Sequence, residues 1–324
     1  MAVEQVAAAH YQAEQAIARE VAVQGQALWR EVEPASVLDS WLALLQAVIA
    51  LLTGAQIAAA RLAQPYVNAL AREQGVTPVP EGIVSPAAFA GLGADGRTLT
   101  SLLMQPALRA LGLLAGGADK REAMASGLAS LTRILATETA DAGRTAVGAG
   151  IAANKSFVMY VRQVTLPACG RCIILAGRTY AWSDGFERHP RCDCQHIAMV
   201  YTPGQGYDRP APASPKELFA QMTPAEQNKA FTNAGAEAIR DGADLGQVIN
   251  ARLGLSTAGG RSVTTVGTTV RGIAGKRLGN LKRQKGERYR RSQIPRPTTE
   301  QIYKDAGGDR DRAIELLKRF SYIL

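Results

Sequence analysis

All four cysteines of this 324-residue chain, Cys169, Cys172, Cys192 and Cys194, fall within one stretch of 26 residues. A chain this long, with 47% hydrophobic residues, can bury real cores without covalent staples. Clustered thiols in such a chain point to a metal and not to disulfides. The pattern is Cys169-Gly170-Arg171-Cys172, then sixteen residues, then His189-Pro190-Arg191-Cys192-Asp193-Cys194-Gln195-His196. A Cys-x2-Cys turn presents two thiolates to one tetrahedral ion at ~2.3 Å, and a second cluster across a loop completes the shell. The expected cofactor is a structural Zn(2+).

Six candidates compete for four positions. Cys169, Cys172 and Cys192 are the strongest, and the fourth ligand is His189 or Cys194. His189-x2-Cys192 can form one turn-shaped pair, while Cys192 and Cys194 share a face of an extended segment. His196 is expected behind the ligands or at the surface. The competing reading is four buried thiols that simply pack in a core. A catalytic zinc needs an open position and a nearby base. Asp184, Glu187 and Asp193 stand close by in sequence but form no HExxH or H-x-E…P-C-x2-C arrangement, and no HNH-type set surrounds the cysteines. The expected site is therefore closed and fold-stabilising, inside a small α+β knuckle of about residues 161–200.

Aromatic residues make up 6% of the chain, alanine is abundant, and β-branched residues do not alternate, which excludes an all-β fold. The expected fold is mainly α: an N-terminal helical domain, a small α+β zinc-knuckle module and C-terminal helices. The first domain, residues 1–150, should hold helices near Val3 to Trp29, Trp41 to Ala60 and Leu99 to Leu114. A longer one is opened by Asp119 and Glu122 as a capping box, with Met124, Leu128, Leu131 and Leu135 on one face, and reaches Gly143 or beyond. Trp41 to Ala60 is uncharged and about the ~20 residues that a bilayer needs. Yet Asp39, Gln46, Thr53, Gln56 and Gln64 fall on one helical face, so a bundle helix and no membrane contact are expected. Gly91 to Gly96 spells GxGxxG, but Ser85 to Ala90 before it is no strand, which removes the dinucleotide reading.

Residues 151–204 are the expected knuckle and 205–256 a helical segment. In the latter, Ser214 with Glu217 and Thr223 with Glu226 open two helices, the second running to Arg240 or Asp241, before a short helix near Leu245 to Leu253. Residues 257–297 are expected to be basic and flexible. Residues 298–324 form a helical hairpin, with Thr298 and Gln301 opening one helix, Gly307-Gly308 closing it and Asp309 opening the next. Asp305, Asp309 and Asp311 lack EF-hand spacing and read as caps. The N-terminus carries Glu4 and Glu14 and no apolar h-region, so a cytosol-like compartment is expected.

The net charge of +9 has a single source. Between Val270 and Arg296 stand ten basic residues, Arg271, Lys276, Arg277, Lys282, Arg283, Lys285, Arg288, Arg290, Arg291 and Arg296, against Glu287 alone. Ten minus one is nine, so the rest of the chain is neutral. A charge block of this kind suits a polyanion, and Lys276, Arg277, Lys282, Arg283, Lys285, Arg288, Arg290 and Arg291 are the expected DNA contacts. Tyr289 is the one aromatic in the run, so base stacking is at most a minor term.

Cys-x2-Cys, then Gly177 and Tyr180, then His-Pro-Arg-Cys-Asp-Cys resembles the signature of phage Mu F-like (MuF-like) minor head proteins, above all those of actinobacterial phages. The resemblance covers about residues 157–200. It extends to Ala236 to Asp244, Val248 to Arg252 and Gln301 to Asp311, and more loosely to the N-terminal half. It implies a virion component present in few copies inside the capsid near the portal vertex. Its partners would be the portal protein, other capsid proteins and phage genomic DNA bound without sequence preference, and its location before assembly the host cytoplasm. Head morphogenesis, DNA packaging or ejection would be its role. Some relatives are fused to a maturation protease or toxin domain, but no Ser, His and Asp arrangement is present in this chain. A non-enzymatic minor capsid protein is the leading expectation. Its rivals are a zinc-dependent hydrolase or nuclease, including a head maturation enzyme, and a free DNA-binding regulator.

Overall fold

The computed structural model describes residues 3–185, 194–202, 206–207, 212–283 and 285–324. The chain is mostly helical with small antiparallel sheets. It divides into two compact units: Met1–Gln163 with Gly177–Pro212, and Val164–Ala176 with Ala213–Leu324.

Unit 1 opens with α1 (Val3–Trp29), α2 (Val37–Arg61) and α3 (Ala63–Glu73). The segment expected as one helix from Leu99 is divided at Met104 into α4 (Leu99–Leu103) and α5 (Gln105–Ala115). Pro106 sits in the first turn of α5, where its missing N–H costs nothing. Asp119 caps α6 (Lys120–Ala152), its side chain accepting from Arg121 N at 2.8 Å. One core joins α1, α2, α5 and α6 through Trp29, Trp41, Leu45, Leu52, Leu131 and Leu135. Two indoles fix its polar edges. Trp29 Nε1 donates to Met124 O at 3.1 Å and Trp41 Nε1 to Leu103 O at 2.9 Å. The expected polar stripe on α2 is split. Gln56 is buried, donating to Leu92 O and accepting from Gly91 N, while Asp39 and Gln46 face solvent.

The strands β1 (Phe157–Gln163), β2 (Thr179–Ala181), β3 (Gln195–Thr202) and β4 (Gly206–Tyr207) form an antiparallel sheet in the order β2-β1-β3-β4. Its apolar face does not close on itself. Tyr160, Val161, Ile197 and Met199 share a core with Tyr66, Val67 and Leu70 of α3 and Ala146, Val147 and Ile151 of α6. A sheet this small needs the helices to bury its apolar face. Where β4 does not reach, α3 covers the β3 edge. Tyr66 Oη donates to His196 O at 2.7 Å, and Gln74 Nε2 donates to Ala198 O and Gln74 Oε1 accepts from Val200 N at 2.9 and 3.0 Å. These alternate residues are the ones whose backbone groups a lone edge leaves unpaired.

Unit 2 begins with the single-turn α7 (Gly170–Ile173) and resumes at α8 (Pro215–Gln221) and α9 (Pro224–Phe231). Both expected capping boxes are present, and their backbone bonds hold Glu217 and Glu226 below the usual carboxylate range. The second helix does not run through to Arg240. Thr232 takes a left-handed φ of 68° and caps a separate α10 (Asn233–Arg240) by accepting from Gly235 N at 3.2 Å. Hydroxyl capping outweighs continuation where threonine is a mediocre helix former. The unit continues with α11 (Leu245–Ala251), β5 (Leu255–Ala258), β6 (Arg261–Thr264), α12 (Ile273–Leu278), β7 (Leu281–Lys282), β8 (Arg291–Ser292) and β9 (Arg296–Pro297). It closes with α13 (Thr299–Ala306) and α14 (Arg310–Arg319), capped by Thr298 and Asp309 with Gly307 in the left-handed region between them.

Residues 257–297 therefore carry regular structure where a flexible segment was expected. Two of their glycines serve close approach. A Cβ on Gly272 would stand 2.1 Å from Gly267 O, and one on Gly275 2.1 Å from Thr269 O. Backbone meets backbone there, and only glycine fits.

Candidate functional site

The basic stretch divides into arginines that the fold consumes and cations that it leaves outside. Arg296 is 0% exposed. Its guanidinium donates to Phe320 O, Val266 O, Ser321 O and Gln247 Oε1 at 2.9 to 3.1 Å. Burial lowers its pKa, with Tyr322 acting the other way. Arg277 donates to Lys318 O at 2.7 Å and to Ile323 O at 3.3 Å. Arg291 is half-buried and bonds Glu287 Oε1, Thr265 O and Thr268 Oγ1.

The β7–β8 hairpin holds most of the remainder. Arg271, Lys276, Arg277, Lys282, Arg283, Lys285, Arg288 and Arg290 are exposed, and Arg283 donates to Glu287 O at 3.0 Å. Arg283, Lys285, Gly286, Glu287 and Arg288 line a shallow cavity of about 550 Å³ at the hairpin tip. Two guanidinium groups lie over the Tyr289 ring, those of Arg271 at 4.5 Å and Arg288 at 5.3 Å from its centroid. The arrangement presents point charges beside a short two-stranded support, which suits phosphate oxygens.

The cysteines are placed in part. Cys169 caps α7, and Cys172 N donates to its Sγ at 3.4 Å. Both side chains therefore belong to one turn, the geometry that a first zinc ligand pair needs. The turn is anchored: Arg171 donates to Asn250 Oδ1 at 2.6 Å, and a Cβ on Gly170 would stand 2.5 Å from Ile249 Cδ1. Cys169 and Cys172 belong to unit 2, whereas Cys194 is buried at the start of β3 in unit 1. His189 and Cys192, with Glu187 and Asp193, lie outside the described residues. Among the described residues no three His, Cys, Asp or Glu side chains converge as a metal-binding group. His196 is a core residue of unit 1, edge-on to Tyr160 at 4.5 Å. Tyr160 Oη donates to the backbone oxygen of Asp184.

Unit 1 also holds a polar cluster that the sequence reading missed. Glu14, 4% exposed, accepts from Gln195 Nε2 at 3.1 Å and stands 3.4 Å from His10 Nε2. His10 stacks on Tyr66 with 4.0 Å between ring centroids, and burial, followed by Glu14, pushes the Tyr66 phenol up. The i, i+4 spacing of His10 and Glu14 on an otherwise apolar helical face was the available signal. Its chemistry is that of a fastener between α1, α3 and β3. The backbone N–H groups of the GxGxxG loop are also committed within the chain: Gly91 N donates to Gln56, Gly93 N to Arg97 O, Ala94 N to Glu138 and Gly96 N to Gly93 O.

The chain is a member of a phage-associated protein family. That family is the VG15 protein family, which matches residues 1–225 and so takes in the whole of unit 1. The match ends before the basic hairpin. No curated protein matches the chain, and no solved structure does.

Proposed function

We propose that this protein is a non-enzymatic minor head component of a tailed phage, of the MuF-like kind, lying inside the capsid near the portal and touching genomic DNA. The observation that carries the reading is the sorting of the basic stretch. Arg296 is buried and Arg291 half-buried, both bonded within the fold, while Lys276, Arg277, Lys282, Arg283, Lys285, Arg288 and Arg290 are exposed and the one acid beside them, Glu287, is engaged by Arg291. Membership of a phage family supplies the setting in which such a surface meets DNA. The resemblance carried by Cys169, Cys172 and the 189–194 segment lies within the matched region and supports the MuF-like assignment.

In this reading the hairpin neutralises phosphates without selecting bases, since point charges on a backbone carry no sequence information. The Cys169–Cys172 turn contributes two thiolates to a structural zinc that stiffens the local fold. The protein is made in the host cytoplasm and joins the head during assembly, with the portal protein and other capsid proteins as its partners. The test is whether it remains with intact virions through density-gradient purification and is released only when particles are disrupted. Recovery solely in the soluble lysate of infected cells would overturn the reading.

A further inference from the structure

The outward face of α2 is exposed and apolar. The helical stretch Val37–Glu73, made of α2 and α3, is long and apolar enough to cross a membrane, yet only 33% of its apolar window is buried. Leu38 and Leu42 are 39% and 47% exposed, and Ala43, Gln46, Ala47, Ala50 and Gly54 share that open side. Beside it, between α1 and α2, runs a groove of about 650 Å³ whose α2 wall is Ala50, Leu51, Gly54, Ala55 and Ala58.

The charges on α2 identify what fits this face. Over its 25 residues the helix has two charged side chains, Asp39 in the first turn and Arg61 in the last, both exposed. Each stands eleven residues from Ala50, since 50 − 39 and 61 − 50 are both 11. A second α2 laid antiparallel about a two-fold axis through Ala50 sets Asp39 of each copy opposite Arg61 of the other. Gln46 falls opposite Gly54, and Ala50 meets itself, so nothing bulky blocks the close approach of two helix axes at 8–10 Å. At a crossing angle near 20° the helices stay in reach over their full length of about 37 Å, which keeps both charge pairs in contact.

We infer that two copies of this chain associate through antiparallel pairing of their α2 helices, with a two-fold axis at Ala50 and Asp39 of each copy paired with Arg61 of the other. The contact is isologous, so it closes at a dimer.

The test uses the full chain. Sedimentation equilibrium should give a dimer that weakens with salt, because the end pairs are solvent-exposed. Asp39→Arg and Arg61→Asp should each raise the dimer dissociation constant tenfold or more, and the double variant should return it to within about threefold of the parent. Ala50→Glu should give a monomer with unchanged circular dichroism. Ala50→Cys should form a symmetric interchain disulfide on mild oxidation, located by peptide mass, whereas Leu38→Cys should not. A monomeric parent at hundreds of micromolar, a dimer that survives Ala50→Glu, or no recovery in the double charge reversal would overturn the assignment. So would a monomer that binds neutral phosphatidylcholine vesicles, which would make lipid the occupant.

Discussion

The guanidinium of Arg296 lies over the ring of Tyr322, 4.1 Å from its centroid, while the Tyr322 hydroxyl donates to Pro297 O at 2.9 Å. The start of α13 and the end of the chain are thereby locked together around one buried cation. Removing that cation leaves four acceptors without donors. Arg296→Met should lower the stability of unit 2 by about 3–5 kcal/mol, read as a shift in the urea midpoint. Arg296→Lys should recover little of it, since one ammonium cannot span acceptors arranged for a planar fork.

The hairpin makes a contrasting prediction. Glutamine at Lys282, Arg283, Lys285, Arg288 and Arg290 should leave the urea midpoint unchanged and weaken DNA binding regardless of sequence. For every cation that neutralises a phosphate, its replacement should reduce the slope of log K against log salt by about 0.9. Fluorescence anisotropy with two unrelated duplexes measures both quantities. An unchanged slope would assign the cations to a protein partner.

Within unit 1, α6 passes Glu14 at Gly143, where a Cβ would stand 2.5 Å from Glu14 Oε1 and 3.3 Å from Ala59 Cβ. Gly143→Ala should cost about 1–3 kcal/mol. The penalty should shrink when Glu14 is also alanine, so a double-mutant cycle should show coupling between the two positions.

Alkali should act on the same cluster. Burial and Glu14 hold the Tyr66 phenol above its ordinary range, so the folded chain keeps that proton more tightly than the unfolded one. Its contribution is complete below the unfolded pKa of ~10 and is lost as pH rises beyond it. Tyr322, pushed up to about 12 by burial, acts in the same direction. Urea midpoints should fall from about pH 10 upward. Tyr66→Phe should flatten that fall while costing about 1 kcal/mol at neutral pH, the hydrogen bond to His196 O. A midpoint that rises above pH 10 would contradict this sign.

For the thiols, protein prepared without chelator should carry about one zinc per chain, and Cys172→Ser should lose it. Gly170→Ala should destabilise the turn through Ile249 and Ala230 whether or not metal is present. Equal zinc content in the parent and Cys172→Ser would remove Cys172 as a ligand.

Local chemistry was legible in the sequence and long-range partnership was not. The capping hydroxyls at Ser214, Thr223 and Thr298 and the carboxylate at Asp119 marked helix starts because each needs only residues within one turn. Trp29 closing α1 and Gly307 closing α13 were likewise local. The break at Thr232 was not legible, because its cap interrupts a helical pattern that looks continuous to Arg240. The destination of Arg296 depends on carbonyls at residues 266, 320 and 321, far away in sequence, so a count of positive charges could not separate it from Arg290. Gly272 and Gly275 looked like looseness because composition does not report what stands opposite a missing Cβ.

The chain crosses between its two units three times, since Val164–Ala176 belongs with Ala213–Leu324 while Gly177–Pro212 returns to the first. This sets an order of events on the ribosome. The helices of unit 1 emerge first but must wait for β3 before their sheet-facing side is covered. The Cys169 turn emerges earlier than β3 and waits longer, because Ala230 and Ile249, which pack against Gly170, are still to be synthesised. A nascent chain stalled between those points would hold a finished bundle with an unfinished loop hanging from it. Truncation at any single position therefore cannot yield one complete unit free of a segment belonging to the other.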